Sequence, residues 1–143
     1  MELAETFATV PLLSSLDSRT LKRLAQDAKR RTYAPGQVII KQDSPASALY
    51  VILSGRVRVD KLAGTEGEAL AYLTPGDFFG ELALIEDNPR SATITAVDET
   101  ECALFVAWEF TALLKEHPQI AVPIMYALIE RLHRHEKREH ASA

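Results

Sequence analysis

All six glycines of this chain lie between Gly36 and Gly80, with none before or after that stretch. Glycine favours turns and weakens helix interiors, so this distribution predicts a turn-rich centre between two helical ends. Turn signals recur there at intervals of roughly 8–12 residues, which is typical of an all-β barrel or sandwich. The signals are Pro35-Gly36, Asp43-Ser44-Pro45, Ser54-Gly55, Gly64 to Gly67, Pro75-Gly76 and Asp87 to Pro89.

The N-terminal part of the sequence predicts a helix that begins after Asp17 and ends near Arg31. Its apolar positions recur at helical spacing and are Leu21, Leu24, Ala25 and Ala28. Asp17 is placed to cap this helix, and Leu16 to pack on Leu21 across the first turn. The solvent-facing side would carry the basic residues, namely Lys22, Arg23, Lys29, Arg30 and Arg31.

In the centre of the chain a period of two predicts strands. Two of these strands alternate apolar residues with charged residues or threonines, so each would have one wet face. Their apolar positions are Val57 and Val59 in one and Ala92, Ile94 and Ala96 in the other. A last strand is apolar on both faces, with Cys102, Leu104 and Val106 on one and Ala103 and Phe105 on the other. Cys102 is expected to be a small core residue, because no neighbouring His or cation would activate its thiol.

Beyond Trp108 the helical period returns, first as a short amphipathic segment that ends at His117-Pro118. A longer helix is predicted to run to about Lys137, and Pro123 should kink it or delay its start. Two apolar stripes run along it, one of Ile120, Ile124, Leu128 and Leu132, the other of Ala121, Met125 and Ile129. One stripe can pack on the strands, and a second copy of the chain would cover the other, giving a homodimer through this helix. The alternative is that both stripes pack into the core of a single chain.

The charge balance limits the partners of this chain. Sixteen basic and twenty acidic side chains give a formal charge of −4, and such a surface does not attract the phosphates of DNA. The N-terminus lacks the pattern of a signal peptide. The longest apolar run, 120–129, has about half the length of a helix that spans a bilayer. We therefore expect a cytoplasmic protein that binds neither DNA nor membranes. A single cysteine excludes an internal disulfide framework.

The sequence lacks the common catalytic motifs, including a phosphate-binding P-loop, a dinucleotide fingerprint, a nucleophile elbow and the spacing of a zinc site. We therefore expect that this chain is not an enzyme and that it binds neither a metal ion nor a cofactor. His133 and His135 resemble the His-x-His of cupin metal enzymes, but residues two apart on a helix do not face each other. A cupin-like metal enzyme is the last-ranked of the alternatives.

The most specific stretch covers 76–84 and continues over 88–93. A strand is predicted to end just before Gly80, which would let a ligand approach the backbone closely. The helical turn that follows would offer free backbone N–H groups to an anion. Arg90 carries a fixed charge and planar donors suited to a phosphate, and Glu81 can accept from a pair of sugar hydroxyls. Together these residues indicate a pocket for a ribose and a singly charged phosphate.

The segment FGELALIEDNPRSATITA resembles the phosphate-binding cassette of the cyclic nucleotide-binding domain family, whose members include catabolite activator proteins and regulatory subunits of cAMP-dependent kinase. Other matching segments are Val10 to Leu13, Tyr33 to Gly36, Leu49 to Gly55, Leu113-Leu114 and His117-Pro118. The resemblance implies a mainly β fold with flanking helices, a double-stranded β-helix (jelly roll) with an N-terminal helix and a long C-terminal helix. It implies one domain over 1–143, with an N-terminal helical segment (1–32), a β-roll (33–107) containing the cassette (79–93), and C-terminal helices (108–143).

The resemblance also implies that cAMP, or alternatively cGMP, binds in this cassette. Glu81 would accept a hydrogen bond from the ribose 2′-hydroxyl, and Arg90 would pair with the phosphate oxygens. Ser91 would add a hydroxyl contact, and bacterial activators that bind cAMP also have serine there. The implied ligand-binding residues are Phe79, Gly80, Glu81, Leu82, Ala83, Arg90, Ser91 and Ala92. The residue that covers the base stays open among Tyr126, Ile129 and Arg131.

The family's activators carry a helix-turn-helix after the dimerisation helix, whereas this chain ends within a few residues of that helix. We therefore expect a stand-alone regulatory sensor whose C-terminal helix passes occupancy to an unknown effector protein. One alternative is a ligand-free copy of the fold kept as a dimerisation or scaffold module. Glycines common in the family near Asp43 are missing here, which favours that alternative. Another is the sensor fragment of a longer transcription regulator.

Overall fold

The computed structural model describes residues 2–40, 48–60, 69–79, 93–126, 128–130 and 133. Within these residues the helices are α1 (Leu3–Thr9), α2 (Ser18–Asp27) and α3 (Ala107–Glu116), followed by a 3₁₀ turn (Pro118–Ile120) and further helical residues (121–126 and 128–130). The strands are β1 (Lys29–Tyr33), β2 (Val38–Ile40), β3 (Ala48–Ser54), β4 (Val57–Asp60), β5 (Ala69–Leu73), β6 (Phe78–Phe79), β7 (Thr93–Ala96) and β8 (Thr100–Val106). In this part of the chain we find no helix that combines the length and the apolar character needed to cross a bilayer.

The strands form two antiparallel four-stranded sheets. The first has the order β1-β8-β3-β6 and the second the order β2-β7-β4-β5. Neighbouring strands in each sheet are mostly distant in sequence, so the chain crosses repeatedly between the sheets, as in a jelly roll. The predicted fold class, a mainly β jelly roll with flanking helices, is confirmed.

The central strands of the first sheet, β3 and β8, are buried on both faces, because the second sheet covers one face and the helices cover the other. On β8, Cys102 and Leu104 belong to the core between the sheets, which we call the inner core. Ala103 and Phe105 belong to the core under the helices, which we call the helical core. A strand buried on both sides carries apolar residues without interruption, so the predicted division of β8 into two apolar faces is confirmed for Cys102 to Phe105. Val106 is partly buried and belongs to neither core.

The second sheet has one buried face and one wet face. Val57 on β4 and Ile94 on β7 lie in the inner core. On β7 the residues on either side of Ile94, Thr93 and Thr95, are only partly buried. The strands predicted from apolar and polar alternation are therefore confirmed for the residues described.

Asp17 caps α2, as predicted, since its carboxylate accepts a hydrogen bond from the backbone N–H of Thr20 at 2.8 Å. Hydrogen bonding from the Thr20 side chain, and then from this backbone N–H, holds the pKa of Asp17 below its ordinary value. Leu16 and Leu21 both lie in the helical core, which is consistent with their predicted contact across the first turn.

The prediction that this helix ends near Arg31 is wrong. α2 ends at Asp27, Ala28 is extended, and its N–H donates to the carbonyl of Leu24 at 2.8 Å. Lys29, Arg30 and Arg31 form the edge strand β1, which pairs with β8. Pairing with a distant strand overrides the local helical pattern here, and a solvent-facing edge strand tolerates the basic residues that were assigned to the helix.

Three predicted turns are present, and each contains a glycine with positive φ, at Gly36, Gly55 and Gly76. Gly55 is the most constrained, because a Cβ atom there would overlap the carbonyl oxygen of Glu99 and the Cα of Thr100. The other three turn signals, at 43–45, 64–67 and 87–89, lie outside the described residues.

The C-terminal helices begin as predicted. α3 ends at Glu116, and Pro118 opens a 3₁₀ turn in which its missing N–H costs nothing. Pro123 lies within the first turn of the α-helical residues that follow, where backbone N–H groups have no helical partner anyway. The α-helical residues begin at Ala121, two residues before Pro123, so the kink or delayed start expected of this proline stays a prediction. The predicted end near Lys137 lies outside the described residues.

The two apolar stripes of this last helix have different environments. Ile120 and Ile124 are buried in the helical core, and Leu128 packs against it. In the second stripe, Met125 and Ile129 are 57% and 47% exposed. The alternative in which both stripes pack into the core of one chain is therefore wrong for these residues. Leu132 lies outside the described residues.

Candidate functional site

The predicted cassette lies between two strands that belong to different sheets. β6 ends at Phe79 in the first sheet, and β7 begins at Thr93 in the second. Phe79 is the one predicted ligand-binding residue that the structure describes. The others lie outside the described residues and are Gly80, Glu81, Leu82, Ala83, Arg90, Ser91 and Ala92.

The strand that leads into the cassette is held by a stack of two aromatic rings. Phe79 pairs with Tyr50 of β3, and their ring planes are 6° from parallel with centroids 4.9 Å apart. Both side chains lie in the inner core. This contact holds the last residue of β6 against β3. Sequence reasoning assigned no role to Tyr50, since only the register of β3 and β6 places the two rings together.

Hydrogen bonds hold the turn just before β6 against β3. The N–H of Gly76 donates to the carbonyl of Ile52, and the N–H of Ile52 donates to the carbonyl of Asp77, both at 2.9 Å. The Asp77 carboxylate also accepts from the N–H of Thr74 at 2.9 Å. The entry to the cassette is therefore tied to the centre of the first sheet by backbone contacts.

The strand that follows the cassette is held at its far end. The N–H of Gly36 donates to the carbonyl of Ala96 at 2.7 Å, and the N–H of Ala96 donates to the carbonyl of Gln37 at 2.9 Å. β7 pairs along one edge with β2 and along the other with β4, where Thr93 lies opposite Asp60. The two strands that flank the segment 80–92 are therefore both held within the β framework.

The inner core near this entry contains two titratable groups, Tyr33 and Cys102, whose pKa values are raised by burial. Burial raises the pKa of the Tyr33 hydroxyl, and neighbouring Tyr50 and Cys102 raise it further. Burial, with a smaller effect from Glu101, raises the pKa of the Cys102 thiol to about 12. A fully buried, protonated thiol is a packing group, which confirms the predicted role of Cys102.

No metal site is found in the part of the chain that the structure describes, where no three His, Cys, Asp or Glu side chains are arranged to hold an ion. His133 is exposed, and His135 lies outside the described residues. Of the three residues proposed to cover the base, Tyr126 and Ile129 are exposed and Arg131 is outside the described residues.

The sequence model of the cyclic nucleotide-binding domain family matches residues 30–117, which include the whole segment between β6 and β7. The chain belongs to the cyclic nucleotide-binding domain family. The match begins at the second residue of β1, includes the described strands β2 to β8 and ends just after α3, so the jelly roll and the first C-terminal helix are features of this family.

Among the relatives of this cyclic nucleotide-binding domain is the cyclic AMP receptor protein of Thermus thermophilus, 32% identical over 85% of this chain and 57% of that protein. Another is the cAMP-dependent protein kinase regulatory subunit of Blastocladiella emersonii, 39% identical over 73% of this chain and 26% of that protein. The chain thus spans between a quarter and three fifths of the length of these relatives.

A similar solved structure is the regulatory subunit of a cAMP-independent protein kinase A from Trypanosoma cruzi, bound to guanosine. It is 29% identical, with a TM-score of 0.74 over 82% of this chain and 41% of that chain. These relatives are receptor and regulatory proteins, so the domain is of a kind that is used in regulation.

Proposed function

We propose that this chain binds a cyclic nucleotide, with cAMP as the preferred ligand, in the segment 79–92. The observation that carries this proposal is the family match, which spans the segment together with both strands that hold it. The names of two relatives, a cyclic AMP receptor protein and a cAMP-dependent kinase regulatory subunit, support cAMP over cGMP.

Each proposed contact follows from the chemistry of the ligand. Arg90 pairs with the cyclic phosphate, Glu81 accepts from the ribose 2′-hydroxyl, and the N–H groups of Leu82 and Ala83 donate to phosphate oxygens. Gly80 leaves space for the nucleotide to approach the backbone closely, and the Ser91 hydroxyl contacts the nucleotide. The small side chain of Ala92 keeps the wall of the pocket thin. In this proposal the chain is a binding module and not an enzyme.

The experiment that tests this proposal is titration calorimetry with cAMP and cGMP on the chain and on two variants. Arg90→Leu leaves the phosphate unpaired, which costs roughly 3–5 kcal/mol, so affinity falls by about two to four orders of magnitude. Arg23→Leu is the matched control, because it removes a guanidinium from the exposed face of α2 and leaves affinity unchanged. Absence of heat with every nucleotide would contradict the proposal and favour the scaffold alternative.

A second ligand class is supported by one relative, the cAMP-independent regulatory subunit bound to guanosine. A nucleoside has no phosphate, so Arg90 would have no charged partner in that complex. Guanosine in the same titration separates the two ligands. Binding of guanosine that survives Arg90→Leu would identify a nucleoside sensor, and cAMP binding lost in that variant identifies the cyclic nucleotide.

We also propose that two copies associate through the last helix, giving a homodimer. Val122, Met125, Tyr126 and Ile129 are spaced i, i+3, i+4 and i+7, and all four are exposed. An apolar stripe of this kind on one helix is typical of a helix–helix contact. In sedimentation velocity, Ile129→Lys is expected to shift the chain to a monomer. Gln26→Lys, at an exposed polar position on α2 and away from the stripe, leaves the dimer intact.

The signalling mechanism proposed here is a population shift. Ligand in the segment 79–92 favours one arrangement of the last helix by its differential affinity, and an effector protein reads that arrangement. Hydrogen exchange with and without cAMP tests this mechanism. Protection changes confined to the β-roll, with none in α3 or the residues after it, would contradict it.

A further inference from the structure

The exposed face of α2 carries a row of basic side chains without an acidic residue among them. What we call the basic stripe consists of three cations, Arg19, Lys22 and Arg23, and the neutral amide Gln26, which with Thr20 line a surface depression of about 320 Å³. Their spacing of i, i+3, i+4 and i+7 places them along one side of the helix. The opposite side packs on the helical core through Leu21.

The charges of the basic stripe are arranged against the stability of α2. The first turn of a helix favours acidic residues and the last turn favours basic ones. In α2 the first turn has no acidic residue and contains Arg19, and the last turn has no basic residue and contains Asp27. Arg19 and Arg23 are also like charges four residues apart, which repel each other. Local arrangements that oppose folding are expected at functional surfaces.

The cations of the basic stripe are available to a partner. Within the described part of the chain Lys22 has no ion-pair partner, and Arg23 has one, Glu116 at 3.3 Å. Both side chains of that pair are about 60% exposed. An ion pair this exposed to water is weak, so Arg23 can readily exchange Glu116 for the carboxylate of a partner. Arg30 on the following strand, by contrast, is held by Glu101 at 2.7 Å.

We propose that the basic stripe docks a short acidic segment of a partner protein. Residues 17–27, which are α2 and its N-cap, contain three cations and two carboxylates, a local charge of +1 in a chain whose formal charge is −4. The stripe is about 10 Å long at ~1.5 Å per residue, which matches roughly three residues of extended peptide.

The ends of the stripe favour this occupant over an extended polyanion. Asp17 precedes the stripe and Asp27 follows it, so negative charge lies at both of its ends. Duplex DNA or an anionic membrane would extend past these ends and meet both carboxylates and the net negative charge of the chain. A short acidic segment makes contact with the cations alone.

The test is an NMR titration of the ¹⁵N-labelled full chain with a hexaglutamate peptide at low salt. Saturable shifts concentrated on 18–27, which weaken as salt is added, are the expected result. Lys22→Glu is expected to weaken binding by on the order of fivefold or more. The matched control is Lys29→Glu, because Lys29 is an exposed lysine outside the stripe and undergoes the same change of charge.

Three outcomes would overturn the proposal. One is the absence of saturable shifts on α2, and another is equal weakening by Lys29→Glu, which would indicate an effect of net charge. The third is tighter binding of a DNA duplex or of phosphatidylserine vesicles than of hexaglutamate at the same amides. Lys22→Gln is a second variant, in case reversal of the charge disturbs the fold. It is expected to weaken binding of the hexaglutamate peptide without lowering the midpoint of urea unfolding.

Discussion

The stack of Phe79 on Tyr50 yields a prediction that can be tested without any ligand. Truncating either ring to leucine removes the ring–ring contact and part of its burial. Each single substitution is expected to lower the free energy of unfolding by about 1–3 kcal/mol. The double variant is expected to lose less than the sum of the two, because the stack can be lost only once.

The coupling energy follows from the geometry of the two rings. Their planes are 6° from parallel, their centroids are 4.9 Å apart, and both side chains are nearly inaccessible to water, with exposures of 2% and 8%. A centroid separation of this size indicates offset rings in contact, for which double-mutant cycles give about 0.5–1.5 kcal/mol beyond area burial. We expect a coupling within that range for Phe79→Leu with Tyr50→Leu.

The assay is urea unfolding of the four proteins in the cycle, with a second cycle as the control. Phe78 precedes Phe79 on the same strand and is equally large and buried, but it lies in the helical core, on the other face of the sheet. Phe78→Leu with Tyr50→Leu is expected to give additive effects. A Phe79 coupling below about 0.3 kcal/mol, or equal coupling in both cycles, would refute the role assigned to the stack.

Three other predictions concern the turns, the helix cap and the inner core. Gly55→Ala is expected to cost about 1–3 kcal/mol in urea unfolding, because of its positive φ and the overlap of the new Cβ with the backbone. Gly36→Ala, where no atom lies within 4 Å, should cost less, and equal costs would refute the steric argument. The pKa of Asp17 is lowered from 3.8 in the folded chain, so its stabilising effect is complete above that pH and is lost as the pH falls through the lowered value. The stability difference between the wild type and Asp17→Ala should therefore vanish in acid, and a difference that persists there would contradict the cap. The thiol pKa of Cys102 is raised from 9.0 to about 12, so the folded chain holds its proton longer and the free energy of unfolding should fall between these pH values. Cys102→Ala should lack this part of the alkaline decrease, and an identical decrease in both proteins would exclude the thiol as its source.

The features that the sequence predicted correctly are those set by neighbouring residues. Asp17 caps α2 through an N–H only three residues away, and the turns at Gly36 and Gly76 need only a backbone that tolerates positive φ. The end of α2 was missed because β1 forms by pairing with β8, some seventy residues further along. Local periodicity carries no information on such a partner, and the basic residues of β1 fit a helix surface equally well.

The candidate site likewise has features that local sequence predicts and features that depend on which strands pair. The segment 79–92 could be identified from residue chemistry and its family resemblance, and the family match includes it. The support that Tyr50 gives to Phe79 could not be found, because it depends on which residues of β3 and β6 lie opposite each other. The exposed stripe with Val122 and Tyr126 was only partly anticipated, since the direction in which a helix faces depends on what packs beneath it.

The unequal burial of the two sheets determines where a reporter group can be attached. Every central position of β3 and β8 faces one core or the other, so a dye linked there would displace packed side chains. The second sheet has an outer surface in contact with water, and its strand β7 runs directly out of the proposed ligand segment. Thr95, on that outer surface, is therefore a suitable attachment point for a fluorophore that reports occupancy while leaving both cores intact.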